Sequence, residues 1–333
     1  MRRLISLGSG RRPGRHAGAG IVRWMGSDPR TLWGGYSMAF TGAVAFSGKA
    51  IVAKLLYRQG IDAVAALALR MLLAWPFFMA MAWWAGRGKP RLQGRDRVRV
   101  LSLGFTGYYL ASALDFAGLQ YITASLERLI LFVYPTIVAV IGAIRGHKGI
   151  TRGQMIALAV SYGGVLLAFG HEASQSLQHP GSHVLWGSAL VLGSAVSYAI
   201  YLVLGGETVR RFGALRLTGL ASSVACALCV AQFCVLYPWQ AWFQFGPRVW
   251  ELSVINAAAC TVLPMWMVMR AMELIGSAHT AQVGMIGPVS TVILAVWLLG
   301  EHFTLPLLLG TLLVLAGVAL LARQKPPTAI ESS

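Results

Sequence analysis

Long apolar segments alternate along this chain with short loops that carry most of its charged residues. A helix needs about 20 mainly apolar residues to cross the roughly 30 Å hydrocarbon core of a bilayer. Ten segments meet this requirement, several of them with a polar residue inside, and they predict ten transmembrane helices. The predicted helices lie at 31–53, 63–85, 101–119, 124–144, 153–170, 184–205, 217–237, 253–273, 279–299 and 304–322.

A constant shift of 153 positions aligns the second half of the chain with the first. The aligned residues are Leu32-Trp33-Gly34 with Leu185-Trp186-Gly187, Pro135 with Pro288, Thr151 with Thr304, and Gly164-Val165 with Gly317-Val318. Each half holds five predicted helices, and this odd number inserts the second half in the opposite orientation. We therefore predict an all-α polytopic membrane protein made of two inverted five-helix repeats.

The remaining segments complete the predicted domain organisation. Residues 1–30 are rich in Arg and Gly and are predicted to be a disordered tail, and residues 323–333 form a second tail. The first repeat is placed at 31–171 and the second at 184–322. Met25 lies just before the first apolar segment, so translation from Met1 and translation from Met25 both remain open.

Composition and charge agree with this class of protein. Hydrophobic residues make up 56% of the chain and charged residues 12%, whereas soluble domains carry about 25% charged residues. The net charge of +17 comes mainly from loops on one side of the predicted membrane, which is typical of a cytoplasmic face and not of a nucleic-acid-binding protein. We therefore expect both termini in the cytoplasm and the protein in the plasma (inner) membrane. Lys148, in an inner loop, aligns with Glu301 in an outer one.

Several short motifs resemble those of the drug/metabolite transporter superfamily, EamA type. They are Trp33-Gly34, Arg70 in Leu69-Arg70-Met71, the run 119–125 leading to Tyr134-Pro135-Thr136, and Leu299-Gly300-Glu301 with Thr304 and Gly310. The resemblance covers residues 31–322. It implies export of amino acids and other small metabolites. Lys148 departs from the pattern, because such units often carry Glu at that position.

Five ionisable residues lie within predicted transmembrane helices of the first half, at similar heights: Lys49, Arg70, Asp115, Glu127 and Arg128. Charges inside a membrane are costly and mark functional candidates. One hypothesis is a structural network with the pairs Arg70–Asp115 and Lys49–Glu127. A second is a water-filled cavity that binds a zwitterionic or anionic substrate, or a coupled proton carried by Asp115. A third is that the helix boundaries are misplaced and that Lys49 and Glu127 lie at the lipid headgroups.

Aromatic residues add candidates for substrate contact. Tyr108 and Tyr134 each lie seven positions from an acidic residue, and Tyr198 and Tyr201 lie where the first half has small residues. Trp266 and Arg270 share one helix face with Glu273, which predicts either an inner gate or an interfacial anchor.

These features favour a secondary transporter with a small-molecule substrate and alternating access between its two halves. Pro135 and Pro288 interrupt matching helices, as is typical of sites at the midplane of repeat transporters. The sequence holds no Walker motif or metal-ligand cluster, so we expect no cofactor, no enzymatic activity and no nucleic-acid partner. A structural or assembly role and a membrane-embedded enzyme remain alternatives.

Overall fold

The computed structural model describes residues 29–88, 92–145, 150–176 and 183–322. Within these residues the chain forms ten long helices, a short 3₁₀ helix (Trp239–Phe243) and no strand. They are α1 (Pro29–Arg58), α2 (Ala63–Gly86), α3 (residues 94–119), α4 (Ala124–Arg145), α5 (Arg152–Ser176), α6 (Val184–Phe212), α7 (Ala214–Leu236), α8 (Pro247–Gly276), α9 (His279–Leu299) and α10 (Leu305–Ala322). The predicted fold class is confirmed.

Nine of the ten helices in the described part of the chain are long and apolar enough to cross a membrane. The exception is α3, which begins with the polar segment Gly94–Gly104 and continues through a π-helical segment, Phe105–Leu110, into Ala111–Leu119. Some helices are longer than the sequence predicts. α1 reaches Arg58, so Lys54 and Arg58 belong to a helix and not to a loop.

The packing between the two halves follows the repeat. α2 packs along α7, and α5 packs along α10, so each of these helices meets its own counterpart. α1 packs along α8, and α3 packs along α6. Within its half α6 is the first helix and α8 the third, so the first helix of each half pairs with the third helix of the other. This reciprocal pairing is what a pseudo-two-fold relation between inverted repeats produces.

Glycines allow the α5–α10 pair to approach closely. A Cβ atom on Gly164 would lie 2.6 Å from the carbonyl oxygen of Gly310, and one on Gly317 would lie 2.7 Å from the carbonyl oxygen of Ala157. The shift of 153 residues relates Gly164 to Gly317 and Gly310 to Ala157, so the two contacts are equivalent under the repeat. Small residues permit such backbone contact, which drives association of helices in lipid.

Both central proline-containing helices are interrupted at matching positions. α4 consists of Ala124–Leu131 and Tyr134–Arg145, and Pro135 is the second residue of the new helix, where its missing N–H costs little. α9 restarts at Ile286 after a turn at Met285, and Pro288 is the third residue of the new segment. Gly276, with a φ of 81°, separates α8 from α9.

The bundle has two ends, which we name by one acidic residue each. The Asp96 end contains the start of α3 and the α6–α7 junction. There Asp96 accepts a hydrogen bond from the Gln93 amide (3.0 Å) and pairs with Arg211 of α6 (2.8 Å). The Glu301 end contains the α1–α2 and α3–α4 turns and the segment after α9. There Arg58 Nη2 donates to the carbonyl oxygen of Leu299 at 2.5 Å.

Some sequence predictions fall outside the described residues. These are most of the N-terminal tail (residues 1–28), the C-terminal tail (323–333) and the loop 146–149 with Lys148. The structure describes Glu301 but not Lys148, so the placement of these two opposite charges in related loops on opposite sides of the membrane stays a prediction.

Gly164 and Gly163 provide a matched test of the α5–α10 crossing. Gly164→Ala is expected to lower the thermal unfolding temperature of the detergent-purified protein, because overpacking typically costs about 1–3 kcal/mol. Gly163→Ala is expected to leave it unchanged or raise it, because nothing lies within 4 Å of a Cβ atom there. Equal effects of the two substitutions would contradict this account of the crossing.

Candidate functional site

Lys49 of α1 lies between two carboxylates in the interior of the bundle. Its Nζ is 2.5 Å from Oδ2 of Asp115 on α3 and 3.6 Å from Oε1 of Glu127 on α4. The side chains are 10%, 2% and 0% exposed, respectively. Taking such charges out of water is costly unless they are paired, so Lys49 links three helices of the first repeat. We call Lys49, Asp115 and Glu127 the central triad.

Arg70 does not pair with Asp115, contrary to one of the hypothesised pairs. Within the described residues no carboxylate forms an ion pair with Arg70. Its guanidinium instead lies over the ring of Phe116, 4.8 Å from the centroid. Phe116 also faces Lys49 at 5.9 Å. The reason is local: Asp115 already meets Lys49, and the adjacent aromatic ring offers Arg70 a cation–π contact.

Arg128 lies at a polar junction between the two repeats. Its Nη2 is 3.3 Å from Ser47 Oγ on α1, and its guanidinium lies beside Gly287 of α9, where a Cβ atom would be 3.3 Å away. Ser47 Oγ also lies 2.7 Å from Ser290 Oγ and 3.0 Å from the carbonyl oxygen of Gly287. Arg128 thus contacts the second repeat where α9 is interrupted near Pro288.

The buried charged groups keep polar atoms that have no hydrogen-bond partner in the described structure. They are Arg70 Nε, Asp115 Oδ1, Glu127 Oε1, Glu127 Oε2 and Arg128 Nε. Most buried polar atoms in proteins are hydrogen-bonded, and exceptions call for an explanation such as a bound ligand, ion or water. Donor and acceptor atoms are both left over, so the arrangement suits a ligand that carries groups of both kinds.

The four candidate tyrosines come together in the interior of the bundle. Tyr108 of α3 and Tyr201 of α6 approach to 3.2 Å between hydroxyl oxygens. The ring centroids of Tyr198 and Tyr201 are 5.7 Å apart, and those of Tyr134 and Tyr198 are 5.2 Å apart. We call these four residues the tyrosine cluster. It draws on α3, α4 and α6, and therefore on both repeats.

Local backbone features place the tyrosines. A Cβ atom on Gly107 would lie 2.3 Å from Tyr201 Cγ, so the ring rests directly on the backbone of α3. Tyr108 lies in the π-helical segment of α3, and the turn at residues 132–133 separates Tyr134 from Glu127. The regular helical spacing assumed for both tyrosines therefore does not hold, although the predicted residues do assemble.

Trp266 and Arg270 lie elsewhere. Trp266 is 40% exposed on α8, and Arg270 pairs with Glu273 on the bundle surface, with both side chains about half exposed. Neither contacts the central triad or the tyrosine cluster in the described structure. The exposed position is what an interfacial anchor requires.

Two carboxylates missed by sequence reasoning hold the start of α4. Glu172 of α5 accepts hydrogen bonds from the Thr123 amide (2.8 Å) and hydroxyl (2.7 Å). Glu301 accepts from the Ala124 amide (2.7 Å), the Ser125 amide (3.2 Å) and the Ser125 hydroxyl (2.7 Å). Carboxylates suit a helix N-terminus because they satisfy its free amides and complement its dipole. We call this arrangement the α4 clamp.

The other missed residues are Ser47, Tyr57 and Ser290. The two serines give little signal in a sequence, because a serine hydroxyl within an apolar helix is readily satisfied by a backbone carbonyl one turn earlier, and Tyr57 lies outside the predicted first helix. For Glu301 the signal was its position directly after an apolar segment, in the Leu-Gly-Glu motif.

Comparisons with known proteins agree with this architecture. The sequence profile of the EamA-like transporter family matches residues 33–170 and 185–323. The uncharacterized transporter YcbK of Bacillus subtilis is 28% identical over 278 residues, which cover 81% of this chain and 86% of that protein. The uncharacterized inner membrane transporter YicL of Salmonella typhimurium is 24% identical over 234 residues, covering 68% and 74%. A solved crystal structure matches with a TM-score of 0.58 at 16% identity, over 87% of this chain and 99% of that one.

The central triad predicts an asymmetric response to charge removal. Lys49→Met is expected to lower the thermal unfolding temperature strongly, because breaking a buried ion pair costs about 3–5 kcal/mol. Asp115→Asn is expected to cost less, because Lys49 retains Glu127. The double variant Lys49→Met/Asp115→Asn should lose less stability than the sum of the losses in the two single variants. Additive effects would show that the triad is not coupled.

The α4 clamp predicts a local change in backbone protection. Glu301→Ala removes three hydrogen bonds from the start of α4 and is expected to speed hydrogen–deuterium exchange in residues 124–131. Glu251→Ala, which breaks an exposed pair with Arg248, is the control and should leave exchange in that segment unchanged. Unaltered exchange in Glu301→Ala would contradict a clamping role.

Proposed function

The chain belongs to the EamA-like transporter family, and from that premise we propose that it exports small metabolites such as amino acids by alternating access. Its relatives are named as transporters, and its apolar helices make it an integral membrane protein. We place it in the plasma (inner) membrane with both termini in the cytoplasm, as the loop charges favour. The Glu301 end then faces outward.

One observation carries the proposed substrate site: buried cations and carboxylates keep unpaired polar atoms, and the helices α3 and α4 that carry three of these residues also carry two members of the tyrosine cluster. An amino acid has one carboxylate and one ammonium group. Arg128 and Arg70 offer N–H donors to a carboxylate, and Asp115 and Glu127 offer acceptors to an ammonium group. The tyrosine rings offer an apolar surface to a side chain.

The pairing of helices supports alternating access. The first repeat meets the second through α1–α8 and α3–α6, and the two pairs are equivalent under the repeat. If the two repeats exchanged conformations, a site open to one side of the membrane would therefore become open to the other side. The interruptions in α4 and α9 provide joints next to the site. Protons coupled through the central triad remain an alternative driving force to passive exchange.

Transport assays test this proposal. Proteoliposomes containing the purified protein should show counterflow of at least one compound from a panel of labelled amino acids and small metabolites. Arg128→Gln and Asp115→Asn are each expected to reduce that flux about tenfold or more, because charge-assisted hydrogen bonds contribute about 1.5–3 kcal/mol.

Arg248→Gln is the matched control, since Arg248 pairs with Glu251 on the exposed surface, and its flux should equal that of the wild type. If no compound in the panel shows substrate-dependent flux, the transporter proposal is overturned. Flux that survives both site substitutions would overturn the assignment of the site.

A further inference from the structure

A polar cavity of about 380 Å³ opens at the Glu301 end of the bundle, separate from the central triad. Its lining is Lys54, Tyr57, Arg58, Gln120, Thr123, Leu299 and Glu301. The cavity has walls from both repeats, and its volume lies within the range of small-molecule sites, about 300–1,000 Å³.

The charged groups of this cavity differ in whether they are already engaged. Glu301 uses both carboxylate oxygens on the start of α4, as part of the α4 clamp. Arg58 uses one guanidinium nitrogen on the carbonyl oxygen of Leu299. Lys54 is half-buried and, within the described residues, makes no hydrogen bond or ion pair. The groups left to meet a ligand are therefore mainly donors, with a cation among them.

The floor of the cavity leads towards the central triad. Tyr57 lines the cavity and donates a hydrogen bond to the carbonyl oxygen of Phe116 at 2.8 Å. Phe116 follows Asp115 in α3, and its ring faces Lys49 and Arg70. The Tyr57 side chain thus lines the cavity and also contacts the backbone of α3 one residue from Asp115.

We propose that this cavity is a second binding site, which holds the carboxylate of a small soluble anion or amino acid through Lys54. The inference deepens the proposed function by adding an outer subsite on the solute's path. The ammonium of Lys54 binds the carboxylate, and Arg58 supplies further N–H donors. A lipid phosphate would offer the same oxyanion chemistry from another source.

Charge-selective labelling tests the cavity without requiring transport. Gln120, an exposed lining residue, is changed to Cys in a Cys234→Ser background, because Cys234 is the exposed cysteine of the four and the others are buried. The protein is placed in phosphatidylcholine nanodiscs and labelled with methanethiosulfonate reagents of similar size, one bearing a sulfonate and one a trimethylammonium group. The ratio of the two labelling rates reports the charge preference of the cavity.

The sulfonate reagent is expected to react faster, and Lys54→Gln should lower the rate ratio roughly tenfold, since lining charges concentrate counter-ions. Lys54→Arg keeps the charge and should preserve the ratio, which separates loss of charge from structural damage. Arg248→Gln should also preserve it. Sodium acetate should slow labelling by the sulfonate reagent more than sodium chloride of equal ionic strength.

Three results would overturn the assignment. The first is a ratio that Lys54→Gln leaves unchanged, and the second is the absence of protection by acetate. The third is slower labelling by the sulfonate reagent when the nanodisc contains phosphatidylglycerol and no acetate is added. That result would indicate that the cavity binds a lipid phosphate. Because labelling does not depend on flux, the subsite and the transporter proposal can fail independently.

Discussion

The ammonium group of Lys49, buried among apolar helices, constrains everything around it. Water solvates such a charge at the surface, but inside the bundle only side chains can replace that solvation. Asp115 and Glu127 do so at 2.5 and 3.6 Å, and they thereby fix how α1, α3 and α4 lie against one another. The packing of these three helices of the first repeat around Lys49 follows from this requirement.

The two repeats share their architecture but divide their chemistry. The central triad, Arg70 and Arg128 all belong to the first repeat. The second repeat contributes hydroxyls and backbone at Ser290 and Gly287, rings at Tyr198 and Tyr201, and the carboxylate of Glu301. Although the helix pairs are equivalent, the first repeat therefore supplies most of the buried charges, and the second supplies hydroxyl groups and aromatic rings. Such a division gives a bound solute two chemically different surfaces.

The α4 helix connects these features. Its first segment, Ala124–Leu131, carries Glu127 and Arg128, its start is held by carboxylates from both repeats, and its interruption lies before Pro135. A short segment held at one end and jointed at the other is suited to move as a unit. Thr123, which precedes this helix, and Glu301 both line the polar cavity at the Glu301 end, so the cavity and the α4 clamp share residues.

The sequence by itself determined the helices, the repeat and the family. The length of apolar segments is set by bilayer thickness, and the shift of 153 residues relates whole elements. The sequence also predicted the charged and aromatic residues that the structure brings together in the candidate site, apart from Trp266 and Arg270. Only the tertiary structure decided their partners: Lys49 and not Arg70 meets Asp115, and Trp266 with Arg270 lies on the surface. Height along a helix follows from residue count, but which side chains meet depends on helix rotation and on interruptions such as the π-helical segment of α3 and the turn before Pro135.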